Sequence, residues 1–456
     1  MTNFNIETLK KIKKIHFIGI GGIGVSALAR IMNSRGYKIT GSDLKTSELT
    51  KTLETEGIKV FYSQISSNIT PDTELIVKTS AVKENKETIK AKELNIPILL
   101  RGEFLSLISN EYNLIAVAGS HGKTTTSALI TYALKNLKTD VSFNVGGILS
   151  NFNTNSEINE NGIFITEADE SDGSFLNLLP NIALLNNLDP EHLDHYGNFE
   201  NLKIAFKKFS EQSKITVWNA DDKNLKSIFL NENSEFTFGF SENAFYTPKN
   251  IEENGFTTYF DLYKDNKKIK RYELPLTGDY NVINTVAAIA SIEQLKTINI
   301  SDLDFSDFKG VKRRSELIYK NKEKNISLYD DYAHHPVEMK ELFKNILRKK
   351  NIIILYQPHR YTRTRDSFDE LVNVLKMPEN LVILKEYAAS EEVIEGAGAK
   401  DLFNNLDKKN YNFLKFANNK EEAQKFITSV FDKNYTIFSV GAGNLNEVLY
   451  SLKGKI

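Results

Sequence analysis

The chain has 456 residues, 41% of them hydrophobic and 26% charged, an ordinary globular composition with material for about three domains. Lys and Arg number 58 against 59 Asp and Glu, so a net charge of −1 gives no electrostatic case for nucleic acid or an anionic membrane as partner. The absence of cysteine excludes disulfides, thiolate metal sites and cysteine nucleophiles, and it suits a cytoplasmic setting.

The first unit spans residues 1–108. Lys10, Lys11, Lys13 and Lys14 precede an apolar stretch over 15–29 that imitates an export leader. Its glycines at 19, 21, 22 and 24 lower both hydrophobicity and helix propensity, which argues against that reading. No segment offers 18 consecutive apolar residues, so no membrane-spanning helix is predicted. The same stretch reads as a strand over 15–18, then Gly19-x-Gly21-x-x-Gly24 (with Gly22 inside it), then a helix and a second strand ending at Asp43. That is a diphosphate-binding turn of Rossmann type, with Asp43 placed for a ribose hydroxyl. It fits any ligand with ribose and diphosphate, a nicotinamide dinucleotide included. Ser80, at the C-terminal end of a strand predicted over 75–81, and Arg101, behind one over 96–100, fall on the ligand-binding edge of such a sheet.

The second unit, residues 109–312, carries the apolar run 114–118 followed by Gly119-Ser120-His121-Gly122-Lys123-Thr124-Thr125. Strand, glycines, lysine, hydroxyls and helix occur in the order of a phosphate loop, although Val117 stands where the usual template begins with glycine. Gly119 and Gly122 let backbone N–H groups approach phosphate, Lys123 reaches the outer phosphates, and the Thr124 hydroxyl can join a Mg²⁺ shell. Two further strands, over 162–166 and 182–188, would deliver Glu167 and His192 to the same edge as metal candidates. Asn281 and Asn284, at i and i+3, could read a purine edge, and Asn281 equally suits a simple N-cap. Residues 231–275, with alternating Phe and Thr, read as hairpins decorating this unit.

The third unit, residues 313–456, again delivers polar residues behind strands. They are Asp330 to Pro336 after 327–329, His359 to Asp366 after 352–356, and Gly441 to Asn444 after 435–440. Arginines and histidines packed behind a strand suit carboxylates or phosphates, which guanidinium binds bidentately. The fold class expected is α/β in three domains: an N-terminal Rossmann-like domain, a central phosphate-loop ATPase domain and a C-terminal Rossmann-like domain.

Eight motifs taken in order resemble the Mur ligase family over nearly the whole chain. They are Gly19 to Gly24, Gly119 to Thr125, Glu167-Ala168-Asp169-Glu170-Ser171-Asp172, Asp189-Pro190-Glu191-His192-Leu193-Asp194, Asn281-x-x-Asn284, Arg313-Arg314, Asp330 to Pro336, and Gln357 to Arg365. The last resembles the branch that adds alanine. Ser120 replaces the family's usual threonine, and Tyr280 its usual histidine. A bridging carbamylated lysine, which other members carry, is not assigned to Lys207 because the alanine-adding branch is thought to lack it.

The resemblance implies an ATP-dependent amide-forming ligase of cell-wall peptidoglycan synthesis. It would join L-alanine to the lactyl carboxylate of UDP-N-acetylmuramate, using ATP and Mg²⁺, as a cytoplasmic monomer or weak homodimer. Lys123 and Arg314 would neutralise the γ-phosphate, and Thr124 and Glu167 would hold Mg²⁺ with His192 on a second metal. Asn281, Asn284, Asp331 and His335 would bind the nucleotide beside the loop residues. Gly19, Gly21, Gly22, Gly24, Asp43, Ser80 and Arg101 would hold the UDP-sugar, and His359, Arg360 and Arg363 its lactyl group and the amino acid. Alternatives are a recycling ligase that adds a tripeptide, a nicotinamide-dependent oxidoreductase, and a nucleotide switch that binds without turnover.

Overall fold

Short apolar runs alternating with amphipathic helices fold into three sheets in a computed structural model that describes residues 4–80, 82–160, 162–229, 236–389, 391–430 and 434–453. The first sheet is entirely parallel, in the order Lys59–Phe61, Lys38–Ser42, Lys14–Ile18, Leu75–Lys78, Ile98–Leu100. Strand Lys14–Ile18 lies where the winding reverses, so the glycine turn behind it opens at the switch point of the sheet. The leader-like stretch is a core strand, that turn and the helix Ile23–Ser34, with Ile15, Phe17, Leu28 and Ala29 fully buried. The strand expected over 75–81 ends at Lys78, and Ala81 lies outside the described residues.

The second sheet has ten strands, with Asn113–Ala118 between Ile163–Glu167 and Ile182–Leu185, all three parallel. A meander of Tyr246–Asn254, Thr257–Lys264 and Lys267–Leu274 extends one edge in antiparallel fashion, as the hairpin reading of 231–275 expects. Residues 231–235 of that reading lie outside the described residues. Helices Lys123–Asn136 and Asp279–Glu293 pack against each other on this sheet.

Residues Met1–Pro275 and Asp279–Phe308, holding both these sheets, form one compact unit. The joint between the two sheets is tight: a Cβ added to Gly102, in helix Arg101–Ser109, would lie 2.2 Å from the Ser174 Cβ of the short helix Ser174–Asn177. The other compact unit is Leu276–Gly278 with Lys309–Ile456. Its six-stranded sheet runs Glu316–Asn321, Ile326–Asp331, Thr436–Val440, Ile352–Tyr356, Asn380–Leu384, Phe413–Ala417, and only the first strand is antiparallel. The division falls between Phe308 and Lys309, four residues before the expected 312/313 boundary. Phe308 still packs on Tyr132 of the first unit, ring centroids 5.3 Å apart. Among the described residues no helix is long and apolar enough to cross a membrane.

Candidate active site

The phosphate loop is built by its glycines. Gly119 (φ 136°) and Gly122 (φ 82°) adopt backbone angles that L side chains resist. A Cβ on Gly122 would also lie 2.6 Å from the Asn284 Oδ1. The loop is braced from the neighbouring strand end, where Asn187 Oδ1 accepts the His121 N–H at 2.7 Å and the Ser120 hydroxyl accepts the Asp189 N–H at 2.8 Å. No side chain caps helix Lys123–Asn136, so its first-turn N–H groups are left for an anion. Neither Asn187 nor Asp189 figures among the expected site residues; their signal is their place directly behind a buried strand.

Lys123 does not extend into the cradle. Its Nζ donates to the Gly119 carbonyl at 2.6 Å and lies 2.9 Å from both carboxylate oxygens of Glu170, which is 1% exposed. Burial works against the ammonium, but the Glu170 carboxylate outweighs it and raises the Lys123 pKa. Glu167 ends its strand and accepts the Gly146 N–H, and a Cβ on Gly146 would sit 2.8 Å from its Oε1. Among the described residues, the group whose ligand atoms converge is Glu170, Glu191 and His192, all within 4.8 Å of one another. This group contains His192 of the expected metal candidates and adds Glu170 and Glu191 to it. Asn281 and Asn284 are both buried within helix Asp279–Glu293, so Asn281 is not an N-cap.

The glycine turn of the first sheet is the second cradle in this unit. Gly19 (φ 78°) makes the bend, and Gly21 donates its N–H to Asp43 Oδ2 at 2.9 Å. A Cβ on Gly21 would lie 2.7 Å from that same oxygen. Gly22 precedes helix Ile23–Ser34, whose N-terminus again lacks a side-chain cap. Gly24 leaves room for Arg101, whose Nη1 would be 3.2 Å from a Cβ there, while Arg101 Nη2 donates to Asp169 Oδ2 at 2.8 Å. Arg101 thus links the diphosphate turn to the acidic segment that carries Glu170. Ser80 is exposed at the same edge.

In the other unit, Asp331 ends its strand and accepts from the Ser315 and Ala333 N–H groups at 2.7 and 2.8 Å. Burial pushes its carboxyl up despite the opposing pull of Arg314. Arg313 is structural: it donates to buried Asp330 at 3.0 Å and to the Gly441 carbonyl at 2.7 Å. Arg314 is held more loosely, 4.0 Å from Glu338 with its side chain 38% exposed, and both guanidiniums lie by the Tyr332 ring. His335 precedes helix Pro336–Ile346 as its N-cap.

His359 stacks on Tyr387, centroids 5.5 Å apart and planes 5° from parallel, and Arg363 lies 3.1 Å from its Nδ1. Burial, with Arg363, His334 and Arg360 adding to it, lowers the His359 pKa to about 4, so its imidazole is neutral at pH 7. Arg360 is exposed and holds a positive φ of 69°, a strained backbone of the kind concentrated at functional sites. This unit therefore offers two guanidiniums beside a neutral imidazole, and Tyr332 and Tyr387 join them without having been expected.

Three family models cover the chain. Residues 14–113 match the Mur ligase family catalytic domain, 117–292 the Mur ligase middle domain, and 313–443 the Mur ligase glutamate ligase domain. The chain is 36% identical to the UDP-N-acetylmuramate–L-alanine ligase of Carboxydothermus hydrogenoformans over 98% of its own length and 97% of the relative's. It belongs to the Mur ligase family. The corresponding ligase of Aquifex aeolicus is also 36% identical, with 96% of each chain covered. Among solved structures, the UDP-N-acetylmuramate–alanine ligase of Thermotoga maritima matches this Mur ligase with a TM-score of 0.84 at 28% identity, covering 97% of this chain and 98% of the other. The murein peptide ligase of Psychrobacter arcticus shares the fold at a TM-score of 0.67 and 21% identity, covering 97% and 99%. Family membership replaces the nicotinamide reading of the first glycine turn, and the three-domain α/β architecture is that of a Mur ligase.

Proposed function

We propose that this Mur ligase joins L-alanine to the lactyl carboxylate of UDP-N-acetylmuramate at the expense of ATP. The near full-length likeness to ligases bearing that name carries the reading. Two separate cradles, a phosphate loop and a diphosphate turn, support it, because the reaction needs two nucleotides at once.

A carboxylate resists attack by an amine, since its charge repels the nucleophile and oxide is not a viable leaving group. Transfer of the γ-phosphoryl group to the lactyl oxygen gives an acyl phosphate and ADP. The free amine of L-alanine then adds to the carbonyl carbon, and the tetrahedral intermediate expels phosphate. Such phosphoryl transfer relies on positioning and on charge neutralisation. In this reading Lys123, the loop N–H groups and Arg314 take the phosphate charge, while Asn281, Asn284, Asp331 and His335 hold the adenosine end.

Gly19, Gly21, Gly22 and Gly24 seat the UDP diphosphate, Asp43 takes a ribose hydroxyl, and Ser80 and Arg101 flank the seat. Arg360 and Arg363 hold carboxylates. The neutral imidazole of His359 can orient the incoming amine by a hydrogen bond, and with its pKa held near 4 it is too weak a base to take the ammonium proton. A donor set of hydroxyl, carboxylates and imidazole from Thr124, Glu167, Glu170, Glu191 and His192 fits Mg²⁺, which when bound neutralises phosphate charge. The enzyme acts in the cytoplasm, as a monomer or weak homodimer. The test is ADP release from ATP and UDP-N-acetylmuramate with L-alanine, glycine, L-serine, a tripeptide or no acceptor. L-Alanine should give the fastest turnover; a clear preference for the tripeptide would assign the recycling reaction instead.

A further inference from the structure

Glu170 is a buried carboxylate that the reaction above uses only as a metal donor, yet it is already engaged by a lysine. At 1% exposure it can keep its charge only beside a cation, and the nearest is the phosphate-loop lysine, 2.9 Å from both of its oxygens. The remaining Lys123 contacts also turn inward, to the Gly119 and Ser120 carbonyls at 2.6 and 3.4 Å. An ammonium has three donors, so a phosphate oxygen that binds Lys123 must take one from this set. Withdrawal of the lysine strands Glu170, at a cost that some other cation must offset.

The surroundings supply a place for one. An oxygen of Glu170 converges with Glu191 and His192, ligand atoms within 4.8 Å of one another. The peptide carrying Glu170 is fixed by the Tyr196 hydroxyl, which donates to its carbonyl at 2.6 Å. His192 (φ 54°) begins the short helix Leu193–Tyr196 that brings that tyrosine. The Lys123 ammonium thus meets both oxygens of Glu170, and further metal-capable donors gather within reach of the same carboxylate.

We propose that Glu170 is a positioning residue that holds Lys123 while the loop is empty, and passes to a divalent cation with Glu191 and His192 when a triphosphate claims the lysine. The inference rests on the ATP-binding reading of the loop and adds a consequence to it. Metal-free triphosphate must break the Lys123–Glu170 pair without replacement, whereas the metal complex brings the replacement. Part of the metal dependence of nucleotide affinity is thus built into Glu170.

Isothermal titration of ATP in EDTA and in Mg²⁺, with Mn²⁺ bound per chain counted by electron paramagnetic resonance, tests this without turnover. Glu170→Gln should bind metal-free ATP about tenfold more tightly than wild type, since a charge-assisted bond is no longer surrendered. It should gain less from Mg²⁺ and bind less Mn²⁺. Glu191→Gln should lose the gain from Mg²⁺. A purely structural Glu170 would weaken binding in both media on substitution, and that result, or unchanged metal-free affinity in the folded variant, overturns the proposal. So does an undiminished Mg²⁺ gain in Glu191→Gln. Should Glu170→Gln not fold, Glu170→Asp, too short to keep both contacts, must tighten metal-free binding in the same sense. Wild-type protein that binds no ATP in either medium would overturn the functional reading itself, and the proposal with it.

Discussion

At the scale of single residues, the electrostatics make checkable statements. His359 has its folded pKa lowered to about 4, against an ordinary histidine value near 6.5. Between those values the unfolded chain takes up a proton that the folded site refuses, so this residue's contribution to stability falls as pH drops through that window. Urea midpoints at about pH 7.5 and about pH 5 should therefore fall further apart in wild type than in His359→Asn; equal separations would show that His359 titrates normally. Glu167→Ala should move the Mg²⁺ midpoint of turnover upward by about tenfold, if this strand-end carboxylate holds the ion. An unchanged Mg²⁺ curve would make it only the acceptor for Gly146.

Which side chains serve was only partly legible. Lys123 and the loop glycines could be read because strand, turn and helix fix their place. The segment 167–172 holds four acids, and spacing alone does not say which one turns inward. Glu170 does so because Tyr196, distant in sequence, pins its peptide. Likewise Arg101 reads as a ligand side chain, yet it reaches Asp169, 68 residues away, a pairing that only the packing of two sheets creates.

At the scale of elements, both glycine turns, the segment 167–172, His192, Asp331 and His359 stand at or behind the ends of parallel strands, where the chain reverses, while Asn281, Asn284 and Arg314 come from a helix and a loop. Strand ends carrying glycine or acidic signatures were visible as short apolar runs that break off into glycines or acids. Boundaries shifted by a residue or two, as at Glu167 and Asp331, which close their strands instead of following them. The joint between the first two sheets was not visible, since nothing local marks Gly102 as a contact point. Gly102→Ala puts a methyl into the Ser174 side chain and should cost about 1–3 kcal/mol of stability. A urea melt of this variant indistinguishable from wild type would mean that the joint yields freely.

At the scale of the whole molecule, the account holds that two nucleotide cradles, each built by its own glycine turn on its own sheet, serve one amide-forming reaction. They lie in the same compact unit, linked through Arg101 and Asp169, while Arg360 and Arg363, proposed here to hold carboxylates, belong to the other unit. The sequence legibly announced both cradles and the fold class, because motif order survives substitutions such as Ser120 and Tyr280.

Calorimetry with UDP-N-acetylmuramate on Lys123→Gln, beside its turnover and its circular dichroism, tests that claim most directly. Glutamine keeps a donor for buried Glu170, where alanine would leave the carboxylate unpaired. The account predicts lost turnover with sugar-nucleotide affinity within about threefold of wild type, a shift well under one factor of ten in the equilibrium constant. Loss of both in a folded protein would contradict it, because the two nucleotides would then share one site.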